Sequence, residues 1–441
     1  MNITPQQFRR IVVACAAAAM MFASMAQALE KPINIRTLPL TPTPIELKVE
    51  DLPPPRPEEA ARVTSRLVPP PENAALYAPQ GFKVNVFAQG IRHARWLALT
   101  PEGDVLCAAS MSNTIYLLKD QDNDGIADDA IVFLDKARGA NAPFGMAFHE
   151  GYFYLGNTDA VLRYEYDAST QQLKGEPVKL IDLPGGGYNQ HWTRNVRVAP
   201  NGKRLFVTIG SKSNNSIEPL PRAAVITMNL DGSDVKVYAS GLRNPVGLDF
   251  HPVTHEPYVT VNERDNLGHD LVPDYFTRIR QDEFFGWPYV YLKPENVDPR
   301  IGPDHQQAAS DRITRTRTPD VLFQAHSAAL GLTFYNQGKF PEYYRNGAFA
   351  AFRGSWNRKP ATGYKIVFIP FKDGRPTGAY EDFVTGFLLK EDSAQCWGRP
   401  VGVLVTPVGD LLFADDNGGR IFRVTYEPVT EAFAKDPNSD R

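Results

Sequence analysis

Cysteine is scarce in this sequence: three of the 441 residues are cysteines, at positions 15, 107 and 396. No Cys-x-x-Cys-His motif is present, which excludes covalent attachment of a c-type haem. An excess of one charge is also lacking, because 47 Lys and Arg residues face 50 Asp and Glu residues. Nucleic-acid-binding proteins need surplus positive charge to neutralise phosphates, so this balance argues against nucleic acid as a partner.

A long apolar segment occurs near the start of the chain, at residues 11–25. It is too short for a membrane span, which takes about 20 apolar residues. Arg9 and Arg10 precede it, and an Ala-Gln-Ala sequence at 26–28 offers the small residues that signal peptidase requires. We predict that residues 1–28 are a cleavable signal peptide and that the protein is periplasmic, without a stable membrane span. A retained anchor helix is the alternative.

Proline and glycine are abundant, with 37 and 33 residues, and this composition favours a turn-rich β architecture over helical bundles. Residues 29–80 are especially dense in proline and contain Pro-Pro-Pro at 53–55 and at 69–71. Such a segment favours extended polyproline conformations without a packed core. We interpret it as a linker, or as a strap that lies over the domain, and we expect no chemistry from it. Residues 429–441 form a polar tail.

One sequence pattern recurs six times between residues 81 and 428. It consists of a polar residue or pair, then an aliphatic strand, then often a Pro or Gly turn. The last strand residues of the six copies are Leu99, Phe148, Val198, Phe250, Phe334 and Val405, which lie 49, 50, 52, 84 and 71 residues apart. A period of about 50 residues with several short strands per unit is typical of propeller blades. The sequence therefore predicts an all-β fold, a six-bladed β-propeller over residues 81–428.

Two features of the repeat predict how the propeller closes and varies. The two long steps imply insertions on blade loops, where extra residues are tolerated and often functional. Residues 82–87 form a strand that we expect beside residues 421–426 of the last blade, because this pairing hides sheet edges and closes the ring. Cys107 and Cys396 fall in the first and last repeats, which meet in a closed ring. They either form a disulfide or remain two buried free thiols.

Polar residues stand six to eight positions before each strand end. Because the innermost strands of a propeller enter the central channel from one face, these side chains should converge there. They are Asn141, His191, Arg243 with Asn244, His326 with Ser327, and Arg399. Two histidines and two arginines around one concave site suit a small ligand that is anionic or polyhydroxylated.

An acidic loop at residues 120–128 carries carboxylates at alternate positions. Asp120, Asp122 and Asp124 are followed by Gly125, and Asp128 closes the segment. A loop wraps a hard cation with oxygen ligands in this way, and the glycine permits the sharp turn. The twelfth position is Ile131, where an EF-hand places a bidentate Glu, so we predict a structural calcium loop rather than an EF-hand. An exposed acidic turn is the alternative.

Six segments resemble the soluble sugar dehydrogenases that use pyrroloquinoline quinone (PQQ), with the sorbosone dehydrogenase-like branch most similar. The segments are Gln-His-Trp-Thr-Arg-Asn at 190–195, Gly-Leu-Arg-Asn-Pro-Val-Gly-Leu at 241–248, Asn-Glu-Arg-Asp-Asn at 262–266, Phe-Gly-Trp-Pro-Tyr at 285–289, Gly-Ser-Trp-Asn-Arg at 354–358 and Gly-Arg-Pro-Val-Gly at 398–402. The likeness runs over residues 81–426. It implies oxidation of an aldose or sugar aldehyde by hydride transfer to PQQ, with Ca²⁺ as a second cofactor.

The resemblance also implies roles for individual residues. His191 would be the general base, since a neutral imidazole has a pKa near working pH. Arg243 would lie against the quinone, and Asn244 would hydrogen-bond its polar edge. Arg399, and less directly Arg358, would bind the cofactor carboxylates. An activating calcium would bind near Asp265 and Asn266. A separate electron acceptor is implied, because the chain carries no haem motif.

Two positions depart from the soluble glucose dehydrogenases in this resemblance. Ser211 stands where those enzymes place an Asp that orients the histidine, and Asp265-Asn266 replaces a glycine-proline pair that supplies calcium carbonyls. These departures favour one alternative, a non-catalytic propeller that binds sugars or partner proteins. A calcium-dependent hydrolase of the lactonase type is another alternative, although it needs carboxylates where the inner strands offer His, Asn and Arg.

Overall fold

The computed structural model describes residues 26–428. The polar tail, Cys15 and nearly all of the predicted signal peptide lie outside the described residues. The two α-helices of the described part are short, α1 Pro303–Ala308 and α2 Ser310–Ile313. Three-residue 3-10 helices occur at Val49–Asp51, Pro57–Glu59, Ser110–Ser112, Lys136–Arg138, Glu342–Tyr344 and Glu391–Ser393. None of these helices has the length and apolar content of a bilayer span.

The first strands belong to the end of the predicted signal peptide, to the proline-rich arm and to the segment just after the arm. They are β1 Ala26–Gln27, β2 Arg36–Leu40, β3 Ile45–Glu46, β4 Arg66–Leu67, β5 Ala75–Pro79 and β6 Phe82–Gln89. Strands β2 and β5 pair in parallel.

The next three units are antiparallel sheets of four consecutive strands each. Sheet one contains β7 Ala94–Leu99, β8 Val105–Ala109, β9 Thr114–Lys119 and β10 Asp129–Leu134. Sheet two contains β11 Met146–His149, β12 Tyr152–Gly156, β13 Ala160–Asp167 and β14 Gln172–Asp182. Sheet three contains β15 Val196–Val198, β16 Arg204–Ile209, β17 Ala224–Asn229 and β18 Lys236–Ser240.

The following units carry the insertions that the long repeat steps predict. Sheet four contains β19 Asn244–Phe250, β20 Pro257–Asn262 and β21 Tyr275–Arg278. The next strand, β22 Glu283–Phe284, pairs with β18 at the edge of sheet three. The following strand, β23 Val321–Leu322, is the fourth strand of sheet four. Sheet five contains β24 Ala329–Phe334, β25 Ala348–Phe352 and β26 Lys365–Ile369; after the small hairpin of β27 Phe371–Lys372 and β28 Arg375–Pro376 it ends with β29 Ala379–Val384.

The last sheet combines both ends of the described chain. After β30 Leu388–Lys390 and β31 Gln395–Cys396, sheet six contains β32 Pro400–Val405, β33 Leu411–Asp415 and β34 Arg420–Tyr426, with β6 as its fourth strand. The β6–β34 pairing runs from Phe82 opposite Tyr426 to Gln89 opposite Arg420. The structure therefore places the two segments side by side as predicted. Within residues 26–428 the chain is all-β with almost no helix, as predicted.

The first strands of neighbouring sheets lie against each other in the order β7, β11, β15, β19, β24 and β32, and β32 also contacts β7. Glycines make these approaches possible. A Cβ on Gly145 would meet the backbone of Asn195 and Val196, and one on Gly331 would meet the backbone of Val401. Gly402 approaches the carbonyl of Arg95 in the same way, between sheet six and sheet one. The glycine of the repeated pattern is therefore explained by close backbone packing.

The proline-rich arm is a strap with its own buried residues. Two of its strands add to the edges of sheets, since β3 pairs with β29 and β4 pairs with β31. β1, which precedes the arm, pairs with β10. Ile35 and Val49 are buried in hydrophobic clusters of the domain. These contacts are those of a strap over the domain, because long-range strand pairing fixes an extended chain that has no core of its own.

Cys107 and Cys396 are free and buried, and they belong to different hydrophobic clusters. Burial raises the pKa of Cys107 to about 12 and that of Cys396 to about 11, so both remain protonated at neutral pH. Because the thiolate is the reactive form, we expect iodoacetamide to label neither thiol in native protein that lacks residues 1–28. Mass spectrometry should find two labels after unfolding in guanidinium, with or without a reductant. Two labels that both appear only after reduction would instead indicate a disulfide.

Candidate functional site

A cavity of about 270 Å³ lies where the first strands of several sheets begin. His191, Arg243, Asn244, His326 and Arg399 all line it, as expected from their positions before the strands. Two other members of the predicted set lie apart from the lining. Asn141 is exposed and donates to Asp159 over 2.8 Å, and the buried Ser327 hydroxyl donates to the Gln324 carbonyl over 2.7 Å.

His191 is held in one tautomer by Ser211. Its Nδ1 lies 3.0 Å from the Ser211 carbonyl oxygen and 2.9 Å from Ser211 Oγ, and that hydroxyl donates to the Ser213 carbonyl over 2.6 Å. A carbonyl oxygen only accepts, so Nδ1 carries the proton and Nε2 keeps its lone pair. Among residues 26–428, the protein gives Nε2 no hydrogen-bond partner. Ser211 therefore orients the imidazole, although it departs from the Asp that the resemblance places at this position.

Burial, together with the nearby Arg243 cation, holds the pKa of His191 well below its ordinary value. If His191 is the base, kcat/KM should stay level from neutral pH down to 6.5, the ordinary value of this group, and fall only below it. A pH profile of kcat/KM checks this. An acid limb near 7 would instead assign the titration to Asp274, whose pKa burial raises to about 7.

The same shift has a consequence for stability. The unfolded chain binds a proton at His191 below pH 6.5 whereas the native protein does not. The contribution of His191 to the free energy of unfolding is therefore fully present above 6.5 and decreases as pH falls below it.

Asn244 stands beside His191 with part of its amide unpaired. Its Oδ1 is buried and has no hydrogen-bond partner among the described residues. A Cβ on Gly210 would collide with both Asn244 Oδ1 and His191 Cβ, so this position accepts only glycine while the two side chains stay in place. A buried oxygen without a partner is costly, which indicates that a donor from a ligand completes this amide.

Arg243 lines the cavity and is itself buried, with 2% of its side chain exposed. Its Nε donates to the Asn214 carbonyl over 2.9 Å, and one Nη donates to Asn214 Oδ1 over 2.9 Å. The same Nη lies 3.1 Å from Asp265 Oδ2, and the other Nη donates to the Asn262 carbonyl over 3.2 Å. These bonds fix the plane of the guanidinium, which is the arrangement that stacking on a flat ring requires.

Asp265 lines the cavity, and its carboxylate also lies 3.4 Å from His326 Nδ1. Its backbone carbonyl accepts hydrogen bonds from Asn214 over 3.1 Å and from Arg300 over 2.8 Å. Asn266 lies outside the cavity lining, and its backbone N–H donates to Asn357 over 2.7 Å. The carbonyl of Asp265 therefore faces donors rather than open space, and calcium at Asp265 and Asn266 stays a prediction.

A cationic corner, composed of Arg95, Arg353 and Arg399, closes one side of the cavity. Asp416 is the carboxylate among them; it pairs with Arg95 and lies 3.0 Å from Arg353 Nε. Arg399 donates to the carbonyls of Arg353 and Gly354 over 3.0 and 3.1 Å. Burial and the mutual repulsion of the guanidiniums lower the pKa of Arg95 and of Arg399 to about 10, so these two side chains stay charged at neutral pH.

The remaining predicted ligands lie elsewhere. Arg358 is not among the lining residues; it binds Asp270 and the His269 carbonyl, each over 2.6 Å. In the acidic loop, oxygens of Asp120, Asp122 and Asp124 lie within 4.8 Å of one another. Asp128 accepts from the Gln121 N–H over 2.7 Å and is outside that group. A cation at this loop remains a prediction.

The sequence reasoning missed four lining residues, Arg95, Glu263, Asp274 and Arg353. It also missed Asp416, which does not line the cavity but pairs with Arg95 and Arg353 of the cationic corner. Three of them directly follow the second strand of a sheet: Glu263 follows β20, Arg353 follows β25 and Asp416 follows β33. A second strand runs antiparallel to the first, so it ends at the face where the first begins. Polar residues after each second strand were therefore the signal that could have found them.

A family model described as TrAA12-like matches residues 76–283 and 295–427, most of the chain. The chain belongs to the TrAA12-like family. An uncharacterized protein of Borreliella burgdorferi is 30% identical over 368 residues, 81% of this chain and 92% of that protein. A PQQ-dependent pyranose dehydrogenase of Coprinopsis cinerea is 24% identical over 60% of this chain, and the chain covers 43% of that enzyme.

Solved structures share the fold of this TrAA12-like chain. A calcium structure of a Trichoderma reesei carbohydrate-active enzyme of family AA12 aligns with a TM-score of 0.68 and 18% identity, covering 82% of this chain and 98% of that one. The PQQ domain of the Coprinopsis cinerea pyranose dehydrogenase, in its holo form, aligns with a TM-score of 0.65 and 20% identity, covering 81% and 98%. The resemblance to soluble PQQ-dependent sugar dehydrogenases is confirmed.

Proposed function

We propose that this protein is an exported quinoprotein dehydrogenase that oxidises an aldose or a sugar aldehyde with PQQ. The observation that carries the proposal is the arrangement of His191. Its Nδ1 is bound to Ser211, its Nε2 is unpaired among the described residues, and the residue lines the cavity together with Arg243 and Arg399. The names of the relatives point the same way, since the Coprinopsis cinerea enzyme is a PQQ-dependent pyranose dehydrogenase.

The lining residues fit PQQ, a flat tricarboxylate. Arg353 and Arg399 each retain N–H groups without a partner in the described chain, and carboxylates satisfy such donors. The fixed guanidinium of Arg243 offers a flat face for stacking, and the unpaired Oδ1 of Asn244 accepts from a ring N–H. The bound quinone would supply the hydride acceptor.

The protein's own groups then handle the proton and the orientation of the sugar. His191 Nε2 accepts the proton of the reacting hydroxyl as the C–H bond of the same carbon breaks, so the hydroxyl becomes a carbonyl and the hydride pair leaves the sugar. Arg243 stabilises the negative charge that develops nearby. The Ser211 carbonyl keeps the proton on Nδ1, so that Nε2 is free to accept until the transfer has taken place.

Six sheets support a six-bladed propeller over residues 81–428, since each first strand lies against the next and β32 against β7. A periplasmic location rests on the pattern of residues 1–28, and a separate electron acceptor on the missing haem motif. The lactonase-type alternative is not favoured, because the carboxylates that line the cavity are already paired. Glu263 and Asp265 pair with Arg264 and Arg243. Asp274 accepts hydrogen bonds from the backbone N–H groups of Glu263 and Ala328.

Titration of PQQ into the purified protein, with and without calcium, tests this proposal. We expect saturable binding by calorimetry, and roughly ten- to a hundredfold weaker binding in Arg399→Gln, which loses a charge-assisted contact to a carboxylate. Arg315→Gln, an exposed arginine outside the cavity, is the matched control. Reduction of a dye by the loaded protein with aldoses completes the test. Absence of PQQ binding would contradict the proposal, and PQQ binding without turnover would indicate the non-catalytic alternative.

A further inference from the structure

A second cavity of about 400 Å³ adjoins the central one and shares part of its wall. Arg95, Trp192 and Arg353 line both cavities, so the two spaces meet along these side chains. Trp192 directly follows His191 in the chain, which puts the second cavity next to the proposed base. Arg92 and His93 line only the second cavity. We call this second cavity the outer cavity.

The outer cavity carries excess positive charge. Three guanidiniums, those of Arg92, Arg95 and Arg353, face one carboxylate, Asp416. The charge of that carboxylate is already balanced within the protein, because both Arg95 and Arg353 bind its Oδ2. Burial and the Arg92 cation lower the pKa of His93, so this histidine is neutral at neutral pH and adds no charge. The surplus attracts an anion.

Unused hydrogen-bonding atoms accompany this charge. The buried Nε of Arg95 donates to no atom of residues 26–428, and the buried Oδ1 of Asp416 accepts from none of them. One atom offers an N–H and the other offers a carboxylate oxygen. A molecule that carries both an acidic group and hydroxyls satisfies the two together, whereas a simple anion leaves Asp416 Oδ1 unpaired.

The outer cavity also provides apolar surface for a ring. The Arg95 guanidinium lies 4.9 Å from the centroid of Trp192, which orders the indole between the two cavities. Met111 is 51% exposed at the same cavity. An indole face with polar groups around it is the usual way in which proteins hold a small polyhydroxylated ring.

We propose that the preferred substrate is an acidic sugar, an aldose or sugar aldehyde that carries a carboxylate. Its reacting carbon lies at His191 in the central cavity, and its carboxylate lies in the outer cavity between Arg92 and Arg95. Arg353 and Arg399 remain for the cofactor carboxylates. This substrate class rests on the proposed dehydrogenase function, and Arg92 and Arg95 are its specificity-determining residues.

Binding of unreactive glycosides tests the proposal without turnover. Methyl galacturonoside and methyl galactoside share a ring and have a blocked reacting carbon. Calorimetry with the PQQ-loaded protein should give a Kd for the acid at least roughly fivefold lower than for the neutral glycoside, and the difference should shrink as salt increases. Arg92→Gln should remove most of this advantage, Arg95→Gln nearly all of it, and Arg315→Gln none.

Equal affinities in the wild-type protein, or an advantage that persists in both variants, would overturn the inference. Turnover separates it from the proposed function. Oxidation of galactose and galacturonate with equal kcat/KM contradicts the acidic-substrate inference alone. Absence of turnover with every sugar contradicts the dehydrogenase function itself.

Discussion

Replacing His191 with alanine is expected to lower kcat roughly 10²- to 10⁴-fold, the usual contribution of a general base. Affinity for PQQ should stay nearly the same, because the protein contacts of the imidazole are made to Ser211 and its free nitrogen is the one proposed for the substrate. Dye-reduction kinetics measure the first quantity and calorimetric titration of PQQ measures the second.

The control for this variant is His255→Ala, which removes an exposed histidine outside the cavity. It should leave kcat at the wild-type value. A His191→Ala protein that loses its affinity for PQQ instead would mean that the imidazole binds the cofactor and is not the base. A variant that retains kcat would mean that another group takes the proton.

The second large effect is expected for stability, at a buried ion-pair network behind the site. Arg264 is fully buried and lies 3.0 Å from both Glu263 and Asp298, which are also fully buried. It further donates to the carbonyls of Pro288 and Val290 over 3.0 and 2.8 Å. Arg264→Met keeps the approximate volume but leaves two buried carboxylates with less charge compensation. We expect it to lower the free energy of unfolding by about 3–5 kcal/mol.

Arg300→Gln is the matched comparison for this network. Arg300 binds the same Asp298 over 2.8 Å, but 29% of its side chain is exposed, so its loss should cost only about 1 kcal/mol. Urea unfolding curves followed by fluorescence compare the two variants. Equal destabilisation by both would contradict the account, because it would show that burial of Arg264 adds nothing to its pairing.

The repeated pattern predicted a large part of the site, for a local reason. The position of a residue just before a strand is visible in the chain itself, and ring geometry then brings such positions together. His191, Arg243, His326 and Arg399 share one cavity because each stands before a first strand, and Asn244 joins them as the first residue of such a strand. The partner strand for residues 421–426 was predictable on similar grounds, since a ring needs its open edge covered.

The residues that sequence reasoning missed depend on contacts between distant parts of the chain. Arg353 follows a second strand, whose position within the repeat varies with loop length. Asn214 and Arg300, which lie 51 and 35 residues away in the chain, donate hydrogen bonds to the carbonyl of Asp265. No local sequence pattern shows that this carbonyl already has donors. The role of Ser211 was unpredictable for a similar reason. It orients His191 through its backbone carbonyl, a group that every residue has and that no sequence pattern marks.

The central proposal is that His191 takes the proton of a sugar hydroxyl, while a bound quinone would supply the hydride acceptor. Anaerobic mixing of the PQQ-loaded protein with galacturonate or galactose, in the absence of any electron acceptor, tests it most directly. The absorbance of the oxidised cofactor should disappear in a single turnover in the wild-type protein. In His191→Ala the change should be at least roughly a hundredfold slower. An oxidised spectrum that persists in the wild-type protein with every sugar, or equal rates in the two proteins, would contradict the account.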